Sequence, residues 1–222
     1  MLSDYQTLVT SLVRDDATKI STPQRDSAIA LAVERYSKDR PRTKVEDVTG
    51  LTGQLIDLPP GYQIDFSEMQ AIECPIGNVP PTELDSWGFY DAPSGRSLQF
   101  ADTFAGATAR FTYTVRHVLD GATDTIALGD REAVAKLAAA QLCQQLAAVY
   151  SNETDSTLAV DTARTADKAS NYRRLGRDYR DHYNQHLGVQ DQRAVAASAV
   201  ANVGTPPGKR MADWLRTERM VT

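Results

Sequence analysis

The chain has 222 residues, 41% apolar and 24% charged, with a formal net charge of −5. These values lie in the ordinary globular range and suit one or two domains with a sizeable core. No run approaches the roughly 18 apolar residues of a membrane helix. The start MLSDYQTLVT lacks the basic patch and apolar core of a secretory leader, so an intracellular place of synthesis is expected.

Ser3 to Val13 predicts a short helix with Leu8, Leu12 and Val13 on one side. Ser21-Thr22-Pro23-Gln24 is a helix start, with Ser21 as cap, Gln24 three residues on and Pro23 in the first turn. Ile29, Val33 and Tyr36 recur at helical spacing, and Pro41 stops this helix. From Thr43 the segments shorten to TKVEDV, QLIDL, QAIECPIG, GFYDA, SLQFAD and ATARFTYTVRHV, punctuated by glycines and two Pro-Pro pairs. In the last, Ala109, Phe111, Tyr113 and Val115 alternate with Arg110, Thr112, Thr114 and Arg116, the period-2 pattern of a half-buried strand. Residues 42–128 therefore predict a β-rich unit of about five or six strands. Within it, Asp65 and Glu68 beside Phe66 and Met69 predict a helical turn.

Helix returns after Gly129-Asp130, with Asp130 as its cap. Val134, Leu137, Leu142, Leu146 and Val149 form its apolar stripe, and Ala138-Ala139-Ala140 allows another helix to approach closely. After the polar SNETDST comes a long helix from about residue 159 to Leu187, stopped by Gly188. This yields an α+β fold: a bundle of about four helices from 1–41 and 129–188, the β-rich insertion 42–128, and a C-terminal extension 189–222. The extension is rich in small residues and broken by Pro206-Pro207, so it is expected to order on a partner.

The stretch NYRRLGRDYRDHYNQHLG interleaves arginines and tyrosines, as nucleic-acid-binding segments do. Ala169, Tyr172, Gly176, Tyr179, Tyr183 and Leu187 nevertheless share one helix face at spacings of three and four. The tyrosines are expected in the core. The arginines are expected outside, where Arg173, Arg177 and Arg180 are candidates for a subunit interface. Arg174–Asp178 and Arg177–Asp181 are expected to pair across one turn. Gly176, unfavourable by roughly 1 kcal/mol in mid-helix, points to close backbone contact. Residues 42–130 carry 5 basic and 13 acidic side chains, whereas 157–188 (6 basic, 4 acidic) and 189–222 (5 basic, 3 acidic) are each +2. The acidic middle disfavours general binding to phosphate backbones.

No catalytic constellation of any strength emerges, and neither enzymatic activity nor a cofactor is expected. His182 and His186 are i,i+4, a spacing that can hold a metal, but no third ligand accompanies them. His117 is expected to be structural within a strand. GTPPGKR at 204–210 is short of a phosphate-binding loop by one residue and lacks the hydroxyl after Lys209. Cys74 and Cys143, far apart in apolar surroundings, are expected to be buried reduced thiols.

Several stretches together resemble a known family. RDSAIALAVERYSKDRPR, LPPGYQIDFSEMQAIECPIGNVPPTEL, ARFTYTVRHVL, AAAQLCQQLAAVYS and YRRLGRDYRDHYNQHLG are similar, in that order over most of residues 22–188, to head-to-tail adaptor (connector) proteins of tailed double-stranded-DNA bacteriophages. Each is a packing or turn pattern, so the resemblance lies in their order. Cys74 departs from it by standing where an aromatic is expected. The resemblance implies a structural virion protein of the neck, assembled in the bacterial host cytoplasm. It implies a homo-oligomeric ring, usually of twelve subunits, between the portal and the tail or its nozzle or stopper protein. Such a ring completes the head, extends the DNA channel and helps retain the genome, with packaged DNA passing through unbound and no membrane involved. The extension would reach the portal or a neighbouring subunit through Met211, Trp214, Leu215, Arg216 and Arg219. A tail-completion or tail-terminator protein and a non-viral helical interaction module are the competing readings.

Overall fold

A computed structural model describes residues 1–15, 18–51, 53–93, 95–104, 106–152 and 159–189, without side chains over 159–166. The described chain is mixed α+β. Its helices are α1 (Leu2–Val13), α2 (Thr22–Asp39), α3 (Arg131–Asn152) and α4 (Ala159–Leu187). Its strands, between α2 and α3, are β1 (Arg42–Val48), β2 (Leu55–Asp57), β3 (Met69–Glu73), β4 (Trp87–Ala92), β5 (Gly95–Phe100) and β6 (Ala109–Val115).

The inward row of α1 is Tyr5, Val9 and Val13, one residue every four. Leu8 is 40% exposed and Leu12 only half-buried, so the expected face is corrected by one step of helical phase. In α2 the expected start is present: the Ser21 amide donates to Gln24 Oε1 at 2.8 Å, and Pro23 occupies the first turn, where its missing N–H is harmless. Ile29, Val33 and Tyr36 are buried as expected, and the helix ends at Asp39, two residues before Pro41. α3 is apolar on nearly all sides and buries Val134, Leu137, Leu142 and Leu146. Its last inward residue is Tyr150, while Val149 is 37% exposed, a second correction.

Gly176 of α4 lies against the middle of α3. A Cβ there would sit 3.1 Å from the Ala140 carbonyl oxygen and 3.4 Å from Cys143 Cβ. The three alanines 138–140 are all buried, so small residues on both helices permit the close approach. Tyr183 and Ala169 are buried, and Tyr172, Tyr179 and Leu187 are half-buried against the same core. The Tyr179 hydroxyl donates to the Leu12 carbonyl at 3.1 Å and Tyr183 to Asp39 at 2.9 Å, which ties α4 to α1 and α2. α4 stops where Gly188 takes φ +68°, the left-handed turn expected of it.

The strands form two antiparallel three-stranded sheets, ordered β1-β6-β3 and β2-β5-β4. β1 and β6 pair along their whole length, from Arg42 opposite Val115 to Val48 opposite Ala109. Ala109, Phe111, Tyr113 and Val115 point into a second apolar core, which they share with Ile72, Leu98, Phe100 and Ile56. The 64–66 segment is a turn in which the Phe66 and Ser67 amides both reach the Gln63 carbonyl, and Met69 already begins β3. His117 lies just beyond β6 and not within it; its Nε2 donates to the Arg40 carbonyl at 2.9 Å. Cys74 and Cys143 are free and buried in separate cores. No helix among the described residues is long and apolar enough to cross a membrane.

Candidate functional site

Two sets of polar side chains stand out, one buried where α2, α3 and α4 meet and one exposed on the flank of α4. The buried set centres on Asp130. A short 3-10 turn, Leu128–Asp130, precedes α3, and the Asp130 carboxylate is turned inward. The Tyr36 hydroxyl donates to Oδ2 at 2.7 Å, Arg40 Nη1 to the same oxygen at 2.8 Å, and His186 Nε2 to Oδ1 at 2.9 Å. Burial would raise the Asp130 pKa, but the bonds from Tyr36 and His186 and the Arg40 charge outweigh it and hold the carboxyl below its usual range. Burial and the bond to Asp130 push Tyr36 up to about 12, so its proton stays in place. The expected helix cap at Asp130 is thereby corrected: its carboxylate spans three helices. No local signal reveals this, because the partners lie 94, 90 and 56 residues away.

The histidine pair expected to be a weak metal candidate is split between two jobs. His186 serves Asp130, while His182 Nε2 accepts from Lys136 Nζ at 3.0 Å, and that lysine also pairs with Glu132 at 2.7 Å. No group of three metal-ligating side chains is assembled among the described residues.

The exposed set is the basic flank. Arg173, Arg177 and Arg180 follow at spacings of four and three, so they lie in one row beside the tyrosine face. Arg173 and Arg177 are exposed and Arg180 is half-buried. Arg173 Nη2 donates to Ser151 Oγ at 2.9 Å, at the end of α3. Among the described residues, side-chain ion pairs at i,i+4 form between Glu34 and Lys38, Arg35 and Asp39, and Glu132 and Lys136. Arg174–Asp178 and Arg177–Asp181 are not among the pairs of the described residues, a correction to expectation. On an exposed helix each pair offers only a few tenths of a kcal/mol, less than the side-chain freedom it restricts.

The strands carry the opposite charge. Asp47 binds Arg110 through two bonds of 2.8 and 2.9 Å, and Asp91 binds Arg96 at 2.6 Å. Glu46 accepts from Tyr113 and from Lys44, and its pKa is lowered chiefly by the Tyr113 bond. Glu83, Asp85 and Asp102 are exposed and enter no ion pair among the described residues. Arginines 173, 177 and 180 therefore share an accessible row, as expected. The other predicted partner-binding residues, Met211, Trp214, Leu215, Arg216 and Arg219, lie outside the described residues, as does GTPPGKR. No protein-family model matches the chain, and no curated protein matches it either.

Proposed function

We propose that the chain is a head-to-tail adaptor of a tailed double-stranded-DNA bacteriophage. In this reading it is a structural, non-catalytic virion protein that rings the DNA channel between portal and tail. The body is a helical bundle of residues 1–41 and 129–188 with the β-rich unit 42–128 inserted, and 189–222 is the extension that anchors it. The ring is dodecameric, sits in the neck, is assembled in the host cytoplasm and hands over to a tail, nozzle or stopper protein.

The observation that carries the reading is the placement of the five family-like stretches. They fall on α2, the β2–β4 region, β6, α3 and α4, and those elements pack into the two cores. The charge pattern supports it. An acidic strand region repels phosphate, as a channel through which DNA slides requires, while the arginines of α4, with Arg173 and Arg177 exposed, suit a contact with protein. The extension adds Met211, Trp214 and Leu215 as apolar anchors for a portal pocket, with Arg216 and Arg219 beside them.

The test is mass photometry of the full chain and of residues 1–188, each alone and mixed with the portal encoded nearest to it. The reading expects a complex near twelve copies per portal ring for the full chain, lost on truncation. Absence of any portal complex from the full chain would refute it, and portal binding retained by residues 1–188 would refute the anchoring role of the extension.

A further inference from the structure

We infer that the arginine row of α4 docks on the acidic loops at one end of the β2-β5-β4 sheet of a second copy of the chain. This contact supplies the subunit interface of the proposed ring and rests on that reading.

The argument begins with how the charges are distributed. Many of the charges on the strands and at the start of α3 are paired: Asp47 with Arg110, Asp91 with Arg96, Asp124 with Arg131 and Asp130 with Arg40. On the α4 flank four arginines, 173, 174, 177 and 180, stand with two aspartates, 178 and 181, so residues 173–181 are net +2. Arg177 and Arg180 enter no ion pair among the described residues, and Arg173 meets only the neutral Ser151 hydroxyl. Seven residues of helix separate the first and last of the row, about 10 Å at 1.5 Å per residue. α4 packs on α3 and reaches α1 and α2 through Tyr179 and Tyr183. The row therefore lies on helical surface.

The unpaired carboxylates Glu83, Asp85 and Asp102 lie on the segments that enter β4 and leave β5. One backbone bond joins these segments, from the Ala101 amide to the Ser86 carbonyl at 3.3 Å, and another, from the Leu84 amide to the Ile72 carbonyl at 2.8 Å, ties the first of them to β3. Four residues before Glu83 in the chain, Val79 is 97% exposed, in a turn held by Asn78 Nδ2 donating to Thr82 Oγ1 at 2.9 Å. An exposed apolar side chain in an acidic segment has the composition of a contact surface. A net-positive flank of α4 is thus complementary in sign to acidic segments elsewhere on the same molecule. Two unlike patches that fit each other produce head-to-tail association, which closes into a ring or continues as a filament.

The test is sedimentation velocity of the full chain over a concentration series at low and high salt, with Arg177→Glu, Asp85→Arg and the two combined. Both side chains are exposed, so circular dichroism should give the same helix content for all variants. The expected result is self-association at low salt that weakens about tenfold or more at high salt, because exposed charges are screened over about 10 Å at 0.1 M and about 3 Å at 1 M. Each single reversal should weaken it about tenfold, and the double reversal should recover most of the loss by restoring opposite signs. A chain that stays monomeric at low salt overturns the inference. So does association indifferent to either reversal, or a double variant no stronger than the singles. Failure of the inference separates from failure of the adaptor reading. Portal binding by the wild-type chain, with self-association untouched by the reversals, leaves the adaptor reading standing without this contact. Charge-swap rescue without portal binding does the reverse.

Discussion

Asp130→Ala tests whether the buried carboxylate links the helices. The variant removes the acceptor of three donors. Tyr36 is 1% exposed, so water cannot replace its lost bond to a charged acceptor, worth about 1.5–3 kcal/mol. The His186 side chain is 37% exposed and Arg40 62% exposed, so solvent satisfies both, and together they add about 1 kcal/mol. The total is about 3 kcal/mol, roughly a hundredfold in the folding equilibrium. With a urea slope of about 2.5 kcal/mol per molar, the midpoint read by far-ultraviolet circular dichroism should fall by about 1.2 M. Asp130→Asn keeps the shape and one acceptor and should lose about half as much. The pH dependence has a fixed sign. The folded-state carboxyl titrates below its usual range, so its contribution is present above the unfolded value of about 3.9 and is lost as pH falls through the lower folded value. Asp130→Asn should therefore flatten the acid limb of the stability curve below about pH 4. A midpoint shift under about 0.3 M for Asp130→Ala, or an unchanged acid limb for Asp130→Asn, would refute the reasoning.

Gly176→Leu should destabilise by several kcal/mol, about 3 or more, because the side chain would enter the space held by the Ala140 carbonyl and Cys143; thermal denaturation measures it. Phe111→Ala, at a fully buried position on the central strand of its sheet, should lose about 3–5 kcal/mol in the same urea titration. Burial pushes the Cys143 thiol up to about 11 and raises Cys74, so both should resist a disulfide reagent at pH 8 in the native chain. Both should react within minutes once denatured, and rapid native labelling of either would contradict its buried placement.

What was legible in advance followed from periodicity. The row from Ala169 to Leu187 has a single inward face, so its tyrosines and arginines could be sorted without knowing their neighbours. The alternation of β6 was informative for its apolar face, but Thr114, expected on the outer face, is 3% exposed, its hydroxyl accepting from the Glu68 amide at 2.8 Å. Periodicity was weaker where a helix is apolar on most sides. In α3, Val149 and Tyr150 are adjacent and both suit a core, and only packing decides between them. Leu8 in α1 was misread because Leu12 shares its apolar character and its spacing, although the row that packs starts at Tyr5. Asp130 stayed hidden because an acidic residue before a helix already has a local explanation. Strand partnership, such as β1 and β3 both flanking β6, arises from contacts far apart in sequence and leaves no trace in a local pattern. The arginine row was found as a surface, but the exposed carboxylates Glu83, Asp85 and Asp102 carry no motif.

The pairing of Arg42 with Val115 brings together the points where the chain leaves the end of α2 and returns toward α3. The His117 amide donating to Ser37 Oγ at 2.9 Å fastens the same junction from the helical side. The segments between those points are enclosed by the hydrogen-bonded pair β1 and β6, and β6 also carries β3 on its other edge. Residues added to a loop between the strands leave the Arg42–Val115 junction in place, and doubling such a loop costs only about 0.6 kcal/mol. The strand region can therefore change in length and surface over evolutionary time while the helical scaffold keeps its register, much as an interchangeable head fits a fixed handle.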